Sequence, residues 1–167
     1  MYNKLTEADI KKMQEEIEYR ELVLRPKILE EVNIARSNGD LSENAEYKIA
    51  KQEKNRNESR TRHLKNMIKT AIIIEDNSKN DEVGLSDTVT LYIEEDDVEE
   101  TYTIVTSIRI AHGGNYISYE SPVAKAILNK HEGDRVLVKV SDDYSYYCVI
   151  KKIEKGVEDE SRPIRGY

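Results

Sequence analysis

Two long segments with helical spacing of apolar residues, joined by a very short connection, constrain this fold most. The first segment repeats apolar residues every three or four positions, at Ile10, Met13, Ile17, Leu24, Ile28 and Ala35. The second runs from about residue 42 to residue 74, with apolar Ala45, Ile49, Leu64, Met67, Ile68 and Ala71. Helices of about 30 residues are about 45 Å long, and a connection of about two to five residues makes them antiparallel. The sequence therefore predicts a coiled-coil hairpin over residues 1–75.

Local signals predict where these helices begin, bend and end. Thr6, followed by an acidic first turn, is typical of an N-cap. Pro26 lies inside the first pattern, where proline removes a helical hydrogen bond, so we expect a kink or a short break there. Asn38-Gly39 is a typical helix end. Asp40 and Glu43 fit an Asp-x-x-Glu capping box for the second helix.

The hydrophobic period changes after residue 75. Five segments are rich in β-branched and aromatic residues, as strands are, and they are residues 87–94, 100–111, 115–120, 134–140 and 144–154. Residues 121–130 form a short amphipathic pattern with Ser121 as N-cap and Pro122 at the first helical position. The predicted fold class is α+β: a helical hairpin followed by a small antiparallel sheet domain with one short helix. The predicted divisions are a hairpin over 1–75, a linker over 76–86, a sheet domain over 87–155 and a disordered polar tail over 156–167.

Composition narrows the possible functions. The chain has 26 Lys+Arg against 33 Asp+Glu, with a net charge of +1 in residues 1–75 and −8 in residues 76–167. It has neither an apolar run of the roughly 18 residues that a membrane span needs nor a signal-peptide pattern, so a cytoplasmic protein is expected. A single cysteine excludes an internal disulfide. The three histidines have no metal-ligand spacing with one another or with Cys148, so no zinc site is expected.

Acidic residues are most concentrated at the connection between the helices, where Asp40, Glu43 and Glu46 crowd one end of the hairpin. Beside them runs a basic segment that could approach phosphates, with Lys48, Lys51, Lys54, Arg56, Arg60, Arg62, Lys65 and Lys69. The acids have two interpretations, helix capping or an incomplete Mg²⁺ site. Two carboxylates hold Mg²⁺ only weakly, because the ion also takes waters and phosphate oxygens. A metal site here would therefore need ligands from another molecule.

Two stretches resemble the signatures of the bacterial transcript cleavage factors of the GreA/GreB family, and of its GreA-like class in particular. The first is GDLSENAEY (39–47), preceded by LRPKILEEVNIARSN (24–38), and the second is SYESPVAKAILNKHEGD (118–134). The resemblance implies an FKBP-like C-terminal domain. It also implies a non-enzymatic factor that binds bacterial RNA polymerase through the secondary channel. There the factor would stimulate the polymerase's intrinsic cleavage of backtracked RNA and rescue arrested elongation complexes.

The resemblance also implies residue roles. Asp40 and Glu43 match the family's two functional acids, which hold Mg²⁺ jointly with the polymerase, so the factor needs no cofactor of its own. Residues expected to support the tip or contact the 3′ end of backtracked RNA are Ser42, Asn44, Glu46, Tyr47, Arg36 and Lys51. For Arg36 and Lys51 the alternative is a charge on a solvated helix face. Ser121 and Pro122 match the surface that docks on the channel rim. No membrane and no small-molecule substrate are implied.

Two other functions stay open. A Gre-like channel binder could inhibit the polymerase without cleavage, although Asp40 and Glu43 in an otherwise standard tip argue against it. An FKBP-like prolyl isomerase would need an aromatic-lined pocket, which a chain without Phe or Trp must build from tyrosine.

Overall fold

The computed structural model describes residues 3–39, 44–110 and 114–166, and its contacts divide the chain into two compact units. One unit holds residues 10–71, and the other holds residues 3–9 together with residues 72–166. The first is helical and the second is built on a mostly antiparallel sheet, which confirms the predicted fold class. The boundaries given above for the hairpin, linker, sheet domain and tail, at residues 75, 86 and 155, remain predictions. Within the described ranges, no helix is both long and apolar enough to cross a bilayer.

The first predicted helix begins and breaks where the local signals indicate. Its parts are α1 (Glu7–Tyr19), a π-helical segment (Arg20–Leu24) and α2 (Arg25–Ser37). Thr6 Oγ1 accepts from the Asp9 amide at 3.2 Å, and Asp9 Oδ2 accepts from the Thr6 amide at 3.1 Å. This reciprocal pair is a capping box and confirms Thr6 as the N-cap. The π-helical segment ends just before Pro26, as expected for a proline that lacks the amide a regular helix needs.

The second helix, α3 (Ala45–Thr70), is shorter at both ends than predicted. It packs on α2 through a small apolar cluster of Ile28, Val32 and Ala50, with Leu24 and Tyr47 at its edge. Ile49, expected in this seam, is 58% exposed, whereas its neighbour Ala50 is buried. The prediction for Ile49 is therefore wrong, because the close approach of the helices is made by the small alanine, one position further on.

A polar network joins the two helices at the middle of the hairpin, where the sequence of α3 offers no apolar residue between Ala50 and Leu64. Glu16 Oε1 accepts from Arg20 Nε at 2.8 Å and from Arg60 Nε at 2.9 Å. Asn57 Oδ1 accepts from Arg20 Nη1 at 2.9 Å, and Asn57 Nδ2 donates to the Arg20 carbonyl at 3.3 Å. That carbonyl belongs to the π-helical segment, so a side chain of α3 supports the break in the first helix. Asn57 and Arg60 are buried, and buried polar groups of this kind are stable only when paired.

Glu16 should make the hairpin sensitive to acid. Burial raises the pKa of Glu16, but the hydrogen bonds from Arg60 and Arg20 outweigh it and leave the pKa below its usual value. A carboxyl with a lowered folded-state pKa stabilises above its unfolded pKa, near 4.3, and this contribution is lost as pH falls through the folded value. Between about pH 5 and pH 3, the urea midpoint followed by helical circular dichroism should fall more steeply for the wild type than for Glu16→Gln. The exposed neighbour Glu18 gives the matched control, since Glu18→Gln should keep the wild-type slope. Equal slopes in the wild type and Glu16→Gln would contradict this role for Glu16.

The second unit contains a five-stranded sheet and a separate two-stranded ribbon. Its strands are β1 (Lys4–Leu5), β2 (Ile72–Ile73), β3 (Thr88–Ile93), β4 (Val98–Val105), β5 (Tyr116–Ser118), β6 (Arg135–Lys139) and β7 (Ser145–Glu154). The larger sheet has the order β5-β4-β3-β7-β6, with one helix, α4 (Pro122–Ile127). In the larger sheet one pairing departs from the predicted antiparallel arrangement, since β4 pairs with β5 in parallel. The ribbon of β1 and β2, also parallel, was not predicted. The predicted strand over 100–111 ends early because Ser107–Arg109 forms a 3₁₀ turn.

The core of this unit extends beyond the strands and α4. Val83 and Leu85, from the predicted linker, are buried in it. Burial also raises the pKa of Cys148 to about 11, as expected for a thiol used only for packing. The predicted disorder of the tail is wrong for its described residues 156–166. There the Gly156 amide donates to Asp87 Oδ1 at 3.0 Å, and the Arg165 amide donates to the Ile108 carbonyl at 2.6 Å.

Candidate functional site

The end of the hairpin is held by one asparagine that joins both helices. Asn44 is the N-cap of α3, and its Oδ1 accepts from the Tyr47 amide at 3.1 Å. Its Nδ2 donates to the Ala35 carbonyl, in the last turn of α2, at 2.7 Å. One side chain thus satisfies a free amide at the start of one helix and a free carbonyl at the end of the other. The two helix ends that flank residues 40–43 are therefore fixed relative to each other.

The end of α2 has the predicted form. Asn38 is the C-cap, and its amide donates to the same Ala35 carbonyl at 3.3 Å. Gly39 follows with φ of 130°, a backbone conformation that glycine adopts without the steric cost other residues meet. Asn38-Gly39 as the helix end is therefore confirmed.

The predicted cap of α3 is wrong. The sequence indicates Asp40 with Glu43 as a capping box, but α3 begins at Ala45 and its N-cap is Asn44. Asparagine caps a helix as well as aspartate does, so its position directly before Ala45 was the signal that could have identified it. Capping of α3 therefore needs no carboxylate from Asp40 or Glu43.

The remaining described tip residues form a cationic and aromatic face beside this frame. Tyr47 is half-buried, and the guanidinium of the exposed Arg36 lies 5.8 Å from its ring centroid, within the range of a cation–π contact. Lys51 is exposed and one turn beyond Tyr47, on the same side of α3. Glu46 is exposed in the first turn, where a negative charge complements the helix dipole. The structure thus brings Arg36, Asn44 and Tyr47 together.

Three predicted tip residues, Asp40, Ser42 and Glu43, lie outside the described residues. The roles given to the two acids by resemblance therefore stay predictions, and the described frame supplies only their setting. The sequence also predicts a turn at His112-Gly113-Gly114, of which His112 and Gly113 lie outside the described residues.

The predicted docking residues lie at the start of α4, in the sheet unit. Ser121 Oγ accepts from the Ala124 amide at 3.2 Å and is the N-cap, and Pro122 occupies the first turn. The side chain of Pro122 is exposed, whereas Ala124 and Ile127 on the same helix are buried in the core. Ser121 therefore holds the helix start, and Pro122 is available to a partner.

Comparisons with known proteins cover both units. The family model described as transcription elongation factor, N-terminal, matches residues 3–73, and the model for the GreA/GreB C-terminal domain matches residues 77–155. Transcription elongation factor GreA of Bacillus licheniformis is 46% identical over 148 residues, which are 88% of this chain and 94% of that protein. GreA of Bacillus subtilis is 43% identical over 147 residues, with the same two coverages. The crystal structure of GreA factor homolog 1 (Gfh1) of Thermus thermophilus is 22% identical, with a TM-score of 0.43, and the match covers 93% of this chain and 100% of that one.

Proposed function

The chain belongs to the GreA/GreB family and is a transcription elongation factor, and we propose that it acts as a transcript cleavage factor for bacterial RNA polymerase. In this proposal the end of the hairpin enters the secondary channel, and the protein is not itself a nuclease. It activates the polymerase's own cleavage of backtracked RNA, which creates a new 3′ end from which elongation resumes.

The observation that carries the proposal is the capping of α3 by Asn44. Asn44 Oδ1 accepts from the Tyr47 amide, and Nδ2 reaches the Ala35 carbonyl. Both helix ends are thus closed by an uncharged side chain, so the structural need that could explain Asp40 and Glu43 is already met. Because α3 does not need Asp40 or Glu43 for capping, we infer that these two acids act on another molecule.

The donor set of the tip fits magnesium. Carboxylate oxygens suit Mg²⁺, which also keeps sites for water and phosphate oxygens, and capping of α3 by Asn44 does not require the acids. Asp40 and Glu43 would hold the ion jointly with the polymerase. When bound in a two-metal site, such an ion supplies an activated water and stabilises the in-line transition state.

Arg36, Tyr47 and Lys51 would position the RNA. Arg36 and Lys51 are both exposed, and Arg36 is oriented by the ring of Tyr47, 5.8 Å away. Exposed cations beside a nucleic-acid channel contact phosphates without reading sequence. In this role they would hold the extruded 3′ segment near the acids.

The direct test is to add the protein to a stalled, backtracked elongation complex that carries labelled RNA. We expect short 3′ fragments to appear and elongation to resume when nucleotides are supplied. The control is the same complex without the factor, which reports the polymerase's intrinsic cleavage. Tight binding without fragment release would contradict the proposal and favour the channel-binding inhibitor.

Docking should depend on Pro122. Because its side chain is exposed at the start of α4, Pro122→Arg should leave the fold intact and place a bulky charge on the proposed contact surface. We expect the affinity for polymerase to fall at least about tenfold, which corresponds to about 1.4 kcal/mol. Pro122→Ala, which adds neither bulk nor charge, should retain most of the affinity. The measurement is competition for polymerase binding, and wild-type affinity of folded Pro122→Arg would contradict the assignment.

A further inference from the structure

Two loops of the sheet unit are held together at a place that the proposed function does not use. One carries Asp81 and Glu82, just before the buried Val83, and the other carries His131, just after α4. The Val83 amide donates to the Lys130 carbonyl at 2.9 Å, and the Asn129 amide donates to the Val83 carbonyl at 2.9 Å. These two main-chain bonds fix residues that are about 50 positions apart in the sequence beside each other.

Three metal-ligating side chains come close enough at this place to reach one ion. One donor atom from each of Asp81, Glu82 and His131 lies within 4.8 Å of the other two. His131 Nε2 is 3.5 Å from Asp81 Oδ2, which is longer than an ordinary N–H···O hydrogen bond. Two ligands at about 2.0–2.1 Å from one tetrahedral Zn²⁺ are about 3.4 Å apart. The pair therefore matches two ligands of a shared ion better than a direct hydrogen bond.

A third carboxylate, that of Asp134, lies near the other nitrogen of the imidazole. His131 Nδ1 is 3.6 Å from Asp134 Oδ2, and that oxygen accepts from the His131 amide at 2.8 Å. The distance from Nδ1 is longer than a hydrogen bond, so on metal binding Asp134 would have to approach Nδ1 to orient the ring and fix its tautomer, as carboxylates do for metal-bound histidines. Three carboxylates around one imidazole also attract a cation.

We propose that Asp81, Glu82 and His131 bind a divalent transition metal ion of the Zn²⁺ class, with Asp134 as a positioning residue. The imidazole distinguishes this site from a general acidic patch, since nitrogen ligands suit zinc and its neighbours whereas magnesium and calcium take oxygen ligands. His131 and Asp81 are solvent-accessible, so water completes the coordination. The bound ion would link the segment before β3 to the loop after α4.

The test uses the full chain and Zn²⁺ alone, by titration calorimetry. The Asp40→Asn, Glu43→Gln background removes the tip acids as competing ligands. We expect one Zn²⁺ per chain, no saturable binding to His131→Gln, and ten- to hundredfold weaker binding, as an order of magnitude, to Asp134→Asn. The matched control is His63→Gln, which removes a histidine of the helical unit and should bind Zn²⁺ like the parent.

Two results would overturn the site. One is an unchanged Zn²⁺ affinity in folded His131→Gln, and the other is Mg²⁺ binding as tight as Zn²⁺ binding, as expected of an acidic patch alone. If His131→Gln does not fold by circular dichroism, Asp81→Asn takes its place, because the Asp81 side chain is 74% exposed and its substitution should not affect folding. RNA cleavage does not enter this test, so its outcome is independent of the proposed function.

Discussion

Replacing the two tip acids by amides, Asp40→Asn with Glu43→Gln, should lower the rate of stimulated RNA cleavage at least about a hundredfold. This factor corresponds to a loss of about 2.7 kcal/mol of transition-state stabilisation. Neutral amides are poor Mg²⁺ ligands, so the ion shared with the polymerase would no longer be held. Because α3 is capped by Asn44, the free energy of unfolding should change by less than about 1 kcal/mol. The measurement is fragment release from a backtracked complex at saturating factor.

A measurement of polymerase binding distinguishes a loss of metal binding in the double variant from a folding defect. The contacts proposed to hold the protein on the polymerase lie elsewhere, so the double variant should occupy the channel and inhibit the wild-type factor in competition. Glu53→Gln removes an exposed carboxylate further along α3 and should keep full cleavage. Near wild-type cleavage by a folded double variant would show that the acids do not hold the metal.

The second large effect should come from a buried ion pair in the sheet unit. The carboxylate of Asp9 is fully buried and accepts from Arg109 Nε at 2.5 Å and from Thr106 Oγ1 at 2.6 Å. Arg109 is 4% exposed, and its guanidinium also donates to the Arg162 carbonyl. Removing one partner of a buried pair leaves an uncompensated charge, so Asp9→Ala should cost about 3–5 kcal/mol. The loss in the free energy of unfolding is measured by chemical unfolding, followed by the near-ultraviolet circular dichroism of tyrosine.

A second substitution tests whether charge is the cause. If the unpaired guanidinium dominates the cost, Asp9→Ala with Arg109→Met should be more stable than Asp9→Ala alone, because the double variant buries no charge. Lys11→Ala, an exposed change on the same helix, should stay within about 0.5 kcal/mol of the wild type. A double variant less stable than Asp9→Ala would assign the loss to packing.

The candidate site was predictable only in part. Motif resemblance predicts the roles of Asp40 and Glu43, which stay predictions, and the order of polar residues allowed more than one cap. Asp40, Ser42 and Asn44 are all good N-cap types, and the choice depends on where the chain can close onto α2. Asn44 is selected because its amide group also reaches the Ala35 carbonyl, a contact between two helices that spacing along one helix does not reveal.

The helical seam shows a similar limit. Apolar residues are sparse in the middle of α3, so the period alone did not distinguish Ile49 from Ala50 as the inward position. Contact with Ile28 and Val32 favours the smaller side chain. Likewise, apolar spacing gives no sign that Asn57 and Arg60 are buried and paired with residues of the first helix and its π-helical segment.

The sequence by itself determined the features that depend on neighbours along the chain. The change from helical to strand periodicity, the cap at Thr6, the break before Pro26 and the end at Asn38-Gly39 all follow from steric and hydrogen-bonding preferences of a few consecutive residues. Only the tertiary structure decided which distant groups meet. In the sequence Asp9 is only an acid in the first turn of a helix, whereas in the structure it accepts a hydrogen bond from Arg109, 100 positions away. His131 has no histidine or cysteine at metal-ligand spacing in the sequence, whereas in the structure it lies beside Asp81. These pairings depend on main-chain registers such as the parallel pairing of β4 with β5, which form only when the whole domain closes, so no local pattern encodes them.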